Sequence, residues 1–294
     1  MSDTPSIDRY LEGVLRAILK GEEVPPWSRV AEDWITVWSR IDYHGIAFVL
    51  HHSKDQLTDW PELLLARMEE ECRLLALWEA THRLCVAKAI EALATAQIPS
   101  VIMKGTALAY LVHDEPAARR RGDSDLLIKP EALARARTIL SDLGWRRQEN
   151  TTGIYNQETW HHDAAEYFEH AIDLHWSPLD RPGLQRLLPI DEIFYESKAL
   201  PAFNEHAFRP SLPAMVIHAT VNQCMHAQYG YFAESGRVRS SQRLIWSLDF
   251  ALMGACMEEA GWARLVDDCC RKGIGPLVGH ALDQARLTTA AALP

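Results

Sequence analysis

The chain has 294 residues, of which 48% are hydrophobic and 24% charged. These are the proportions of an ordinary folded protein, and they exclude a disordered, collagenous or bilayer-spanning chain. With 30 Lys+Arg against 40 Asp+Glu the net charge is −10, which excludes an extended nucleic-acid surface, because such surfaces neutralise phosphates with clustered cations. Any phosphate site must be local.

In chain order, residues 5–20 and 30–52 read as helices. Residues 62–98 contain no Gly or Pro, and Leu64, Met68, Leu75, Trp78, Cys85, Ala89 and Leu93 recur at helical spacing, so one or two long helices are expected there. At Ile98-Pro99 the character changes: Val101-Ile102-Met103 forms a short apolar run that leads through Lys104-Gly105-Thr106 into a helical Ala107–Val112, a strand, turn and helix. Asp123–Ile128 is a second strand, stopped by Pro130 and followed by a helix over 131–143 that ends at Gly144. Residues 166–176 alternate, with Phe168, Ile172, Leu174 and Trp176 on one face and Glu169, Asp173 and His175 on the other, as in a half-buried strand. Helical period returns near 212–228, 241–256, 259–271 and 276–288.

The six cysteines (Cys72, Cys85, Cys224, Cys256, Cys269, Cys270) form no C-x-x-C pair and read as reduced core residues. The start of the chain lacks the basic and apolar pattern of a secretory signal, and no apolar run is long enough for a span, so a cytoplasmic protein with no membrane partner is expected. The organisation is an N-terminal helical region (1–97), a strand-bearing core (98–180) and a C-terminal helical region (181–294). The chemistry belongs in the core.

A strand shows residues i and i+2 on one face, so Asp123 and Asp125 aim two carboxylates the same way. Such anions repel unless a cation lies between them, which points to a divalent-metal site. Spacing alone is weak, since random placement of 40 acids gives about five such pairs. Three features add specificity. Gly105 opens a helix after a strand, where backbone N–H groups hold phosphate. Asp173 lies on the polar face of a later strand beside His175. Arg119-Arg120-Arg121 precedes the acidic pair, an odd place for cations unless a polyanion is near.

Together Lys104-Gly105, Arg119-x-x-x-Asp123-x-Asp125-Leu126-Leu127-Ile128 and Ile172-Asp173-Leu174-His175-Trp176 resemble the uncharacterised bacterial branch of the DNA polymerase β-like nucleotidyltransferase superfamily. The resemblance covers most of the chain. It implies an α+β fold with a small mixed β-sheet core flanked by helical regions, and transfer of NMP from an NTP, such as ATP, to an acceptor hydroxyl. It also implies two Mg²⁺ ions, with Mn²⁺ as the alternative, held by Asp123, Asp125 and Asp173. Gly105 and Thr106 would cradle the β- and γ-phosphates, and Lys104 and Arg119 would neutralise the departing pyrophosphate. Two departures stand out: Gly105-Thr106 replaces the usual Gly-Gly or Gly-Ser, and Ser124 replaces an apolar residue between the aspartates.

Elsewhere ordinary readings lead. His161-His162-Asp163 reads as a polar loop, His218, Asn222 and His226 as a solvated helix stripe or the wall of an acceptor cleft, and Asp249 as a structural partner of Arg243. The acceptor, a small molecule or a protein, is not identified by the sequence. The rival functions are a catalytically silent nucleotide- or partner-binding module of the same fold and an antibiotic adenylyltransferase, whose polycationic substrates suit an acidic protein.

Overall fold

A computed structural model describes residues 4–27, 33–149, 156–163, 168–233, 236–238 and 242–293. The first helices are α1 (Thr4–Lys20), α2 (Trp34–His44), α3 (Ala47–His52) and α4 (Glu62–Thr95). The strand-bearing stretch contains β1 (Ser100–Ile102), α5 (Lys104–Leu111), β2 (Asp123–Ile128), α6 (Leu133–Asp142), β3 (Arg146–Arg147), β4 (Gln157–Asp163) and β5 (Glu169–His175). Then come α7 (Ile190–Tyr195), β6 (Lys198–Ala199), β7 (Phe208–Arg209), α8 (Leu212–Tyr229), β8 (Tyr231–Ala233), β9 (Gly236–Val238), α9 (Leu244–Ala255), α10 (Glu259–Lys272) and α11 (Gly275–Thr289).

The fold is α+β, as the sequence leads one to expect. The expected helices at 62–98, 131–143, 212–228, 241–256, 259–271 and 276–288 all form, the first as one unbroken helix. The 30–52 segment forms two helices, because Gly45 at φ +69° ends α2 in the left-handed conformation that glycine adopts at little cost. Asp33 starts α2 by accepting from the N–H groups of Ile35 and Thr36. Residues 30–32 of this segment, and residues 166–167 of the expected third strand, lie outside the described residues.

The chain divides into two compact units. The first comprises residues 1–76, 222–256 and 275–294. Its core is Ile7, Leu11, Val14 and Leu15 of α1 against Val37, Ile41, Leu50, Leu64 and Met68, all buried, so burial of one apolar stripe per helix supplies its main stabilisation. Asp8 joins α1 to α2 by accepting from Arg40 at 2.7 Å and His44 at 3.0 Å. His44 Nδ1 in turn accepts from the Leu244 N–H, and Arg243 donates to the Tyr43 carbonyl.

The second unit comprises residues 77–221 and 257–274. Its centre is a five-stranded mixed sheet in the order β1-β2-β5-β4-β3. The β1–β2, β5–β4 and β4–β3 pairs are antiparallel and β2–β5 is parallel. One sheet face carries Ser124, Leu126 and Ile128 of β2, His170, Ile172 and Leu174 of β5, and Glu158 and Trp160 of β4, all buried. The other face carries Asp123, Asp125, Ala171, Asp173, His175, Gln157 and Thr159. Of these, Asp125 and His175 are buried and the rest are half-buried, while Leu127 and Val101 on the same face are buried beside His175. An alternating strand with one dry and one partly wet face is what the period of two requires.

His161, His162 and Asp163 form the end of β4 and not a loop. Their polar sequence is tolerated because β4 pairs on both sides through its backbone, to β3 and β5. Of the cysteines, Cys72 and Cys269 are buried, Cys85 is half-buried, and Cys224, Cys256 and Cys270 are exposed; all six are free thiols. The core reading therefore fails for the exposed three.

Candidate metal centre on the β2–β5 pair

The parallel pairing of β2 with β5 sets Asp125 directly opposite Asp173. Neighbouring strands lie about 4.8 Å apart, so cross-strand carboxylates on one face approach each other without any loop having to place them. One ligand atom from each of Asp125, Asp173 and His175 lies within 4.8 Å of the other two, a grouping that could hold a metal ion. Asp123 is two residues back on the same face and opposite Ala171.

Each carboxylate is held differently. Asp125 Oδ1 accepts from Lys104 Nζ and from His175 Nε2, the latter at 2.9 Å. Asp173 is held from the far side by β4, where Thr159 donates to Oδ1 at 2.6 Å and Gln157 donates to Oδ2 at 2.8 Å. The register explains this, since Thr159 faces Asp173 and Gln157 faces His175 across the β4–β5 ladder.

The charges are crowded. Burial, then the Asp125 and Asp173 charges, push the Asp123 carboxyl up to about 7, against the opposing pull of Lys104 and Arg121. Burial also works to raise Asp125, but Lys104 and His175 outweigh it and hold that carboxyl well below the usual range. Burial works against the Lys104 charge, yet Asp125, Asp123 and Asp173 prevail and hold the ammonium above its ordinary value. The outcome is one carboxylate stabilised by its partners and one left short of positive charge.

The Lys104-Gly105-Thr106 turn lies within the first turn of α5. Lys104 has φ +48°, unusual for a residue with a Cβ, and its ammonium is on Asp125. Gly105 lies over Arg121, where an added Cβ would meet Arg121 Cδ at 3.4 Å. Thr106 is buried, and its hydroxyl is bonded to Ser124 Oγ at 2.8 Å and accepts from Arg121 Nε at 3.0 Å. Arg119 is buried and donates to the Arg120 carbonyl at 2.8 Å.

Sequence reasoning missed the polar chain beneath β2. His82 of α4 reaches Ser124 Oγ through Nε2 at 2.8 Å and His170 through Nδ1 at 3.2 Å, and it stacks on Trp78 at 4.2 Å between ring centroids. Burial, then Arg121 and His170, hold the His82 pKa down to about 2. Arg121 continues the chain to Glu79 at 2.7 Å. Ser124, a departure in sequence, is thus the hydroxyl through which α4 and α5 reach the strand between the two aspartates.

His218 of α8 is buried and not solvated, with Nε2 at 3.0 Å from the Pro178 carbonyl. Burial and Lys104 hold its pKa down to about 4, with Asp125 opposing. It therefore stands neutral near the acidic cluster.

The second unit is thus an α+β unit that carries, on adjacent strands of its sheet, a group of residues that could hold a metal ion. The chain matches the model of the family described as "Uncharacterised nucleotidyltransferase" over residues 31–290, and it belongs to that family. No curated protein matches it. Among the described residues no helix is long and apolar enough to cross a membrane.

Proposed function

We propose that this protein is a Mg²⁺-dependent nucleotidyltransferase of the DNA polymerase β-like kind, moving an NMP from an NTP to an acceptor hydroxyl and releasing pyrophosphate. The observation that carries the reading is the alignment of Asp125 with Asp173 across β2 and β5, with Asp123 on the same face. The donor set fits a hard divalent cation, since it offers carboxylate oxygens. Asp123, Asp125 and Asp173 would hold two such ions, Mg²⁺ or Mn²⁺. When bound, the ions lower the pKa of the acceptor hydroxyl and offset charge developing on the phosphates.

The protein's own groups supply the rest. Gly105 and Thr106 offer backbone N–H groups at the start of α5, where helical geometry leaves the first donors without intrahelical partners. Thr106 contributes no hydroxyl, because its Oγ1 is engaged beneath β2. Lys104 and Arg119 supply positive charge for the pyrophosphate. Gln157 and Thr159 fix the direction of Asp173. The acceptor is a small molecule or a protein, and a net charge of −10 favours a cationic one over nucleic acid.

A catalytically silent nucleotide binder is the second reading, favoured by the pairing of Lys104 with Asp125, which already supplies that carboxylate with a cation. Incubation of the protein with Mg²⁺, cell extract and each NTP labelled at either the α- or the γ-phosphate separates the two. Nucleotidyl transfer moves α-label to an acceptor and leaves γ-label in pyrophosphate. Phosphoryl transfer moves γ-label, and a silent binder moves neither.

A further inference from the structure

We propose that His175 is a nitrogen donor to the ion held by Asp125 and Asp173, and that it raises the affinity of this site for Mn²⁺ relative to Mg²⁺. The proposal rests on the metal-dependent reading above and adds a protein ligand to it. The grouping itself is the starting point, because one ring nitrogen of His175 lies within 4.8 Å of an oxygen of each carboxylate. His175 is also only 1% exposed, so its ring is fixed against the cluster by packing.

A hydrogen bond that merely orients Asp125 does not account for all of this. Asp125 Oδ1 already receives the Lys104 ammonium, and His175 Nε2 is a second donor on the same oxygen. The other ring nitrogen, Nδ1, is buried with no hydrogen-bond partner among the described residues. Buried ring nitrogens are ordinarily paired. A ring whose only bond is to a prospective ligand can exchange that bond for a shared ion. Coordination through Nε2 requires the tautomer protonated at Nδ1, and moving the proton there breaks no other contact.

The donor set then decides between ions. Mg²⁺ takes oxygen ligands and keeps several waters; Mn²⁺ shares that liking for carboxylate but, as the first of the divalent transition ions whose affinity for mixed nitrogen and oxygen sites rises along the row, gains more from an imidazole than Mg²⁺ does. Two carboxylates with one imidazole therefore hold Mn²⁺ by three protein atoms where Mg²⁺ uses two.

The test uses the full-length, chelator-treated protein without nucleotide, titrated with MnCl₂ and separately with MgCl₂ by calorimetry, for wild type and His175→Gln. Glutamine keeps a donor for Asp125 and removes the imidazole nitrogen. We expect Mn²⁺ affinity to fall about tenfold or more in the variant, the usual scale for losing a metal-site group, while Mg²⁺ affinity changes by less than about threefold. Pulsed electron paramagnetic resonance of bound Mn²⁺ should show ¹⁴N coupling in wild type and none in the variant. The wild-type spectrum alone decides the matter if His175→Gln does not fold. Parallel weakening of both ions, or a wild-type spectrum without ¹⁴N coupling, overturns the proposal and leaves His175 as a positioning residue. Failure of wild type to bind either ion at all counts instead against the metal-dependent reading.

Discussion

At the scale of single residues the acidic cluster is a problem of charge balance. Three carboxylates share one sheet face with Lys104, and Asp123 carries the cost, its carboxyl pushed up to about 7 by burial, Asp125 and Asp173. A raised folded-state pKa means that the native state holds a proton the unfolded chain has lost. The stabilisation from protonated Asp123 is therefore complete below the unfolded value, near 4, and disappears as pH rises through about 7. We expect Asp123→Asn to fold at least as stably as wild type in the absence of metal, with an advantage that grows from pH 4 to pH 8 in urea-denaturation curves. A variant less stable than wild type at pH 8 would mark Asp123 as a structural acid. Asp125 behaves oppositely. Its lowered pKa contributes stability above the ordinary carboxylate range, and that contribution is lost on acidification.

At the scale of elements, two devices hold β2 and β5 in place. The first is β4, whose Thr159 and Gln157 hold both oxygens of Asp173. Thr159→Val keeps the shape and removes a hydrogen bond to a charged oxygen, so divalent-ion affinity should fall about tenfold with little change in far-UV circular dichroism. Unchanged affinity in a calorimetric titration would show that Asp173 needs no such support. The second is the chain from His82 of α4 through Ser124 to Thr106 of α5. Ser124→Val leaves His82 and Thr106 short of a buried partner and should cost about 1–3 kcal/mol. His82→Leu combined with Ser124→Val should cost less than the sum of the single changes, because both ends of one bond are then gone. Strict additivity in a double-mutant cycle would contradict the coupling. These supports explain what the sequence leaves hidden. The strand of Asp173 is legible because apolar and polar residues alternate in it, and that of Asp123 because a short run ending in Leu126-Leu127-Ile128 stops at Pro130. β4, with Gln157, Thr159, His161 and Asp163 among its seven residues, has no such contrast, so its pairing partners set its structure. His82 and His218 sit in helical stretches, where nothing in the spacing says that a histidine is buried.

At the scale of the whole molecule, the legible part is the long helices, because Gly- and Pro-free periodic segments such as Glu62–Thr95 leave little choice of structure, whereas the short pairs β6–β7 and β8–β9 lie in a stretch expected to be helical. The illegible part is the division into units, since residues 222–256 and 275–294 belong with residues 1–76 and only the folded chain brings them together. Function at this scale is tested by linkage. A Mg²⁺–NTP complex that binds only the native state must raise the melting temperature, by an amount set by its concentration relative to Kd. The decisive measurement compares wild type with Asp173→Ala, following that thermal shift and the transfer of α-label from NTP to acceptor in one set of samples. On the proposed function the paired aspartates of β2 and the start of α5 would grip the nucleotide, whereas Asp173 would serve the reacting hydroxyl. Asp173→Ala should therefore keep an NTP affinity within a few-fold of wild type and lose label transfer by on the order of a hundredfold or more. Label transfer at the wild-type rate by Asp173→Ala would contradict the three-carboxylate centre.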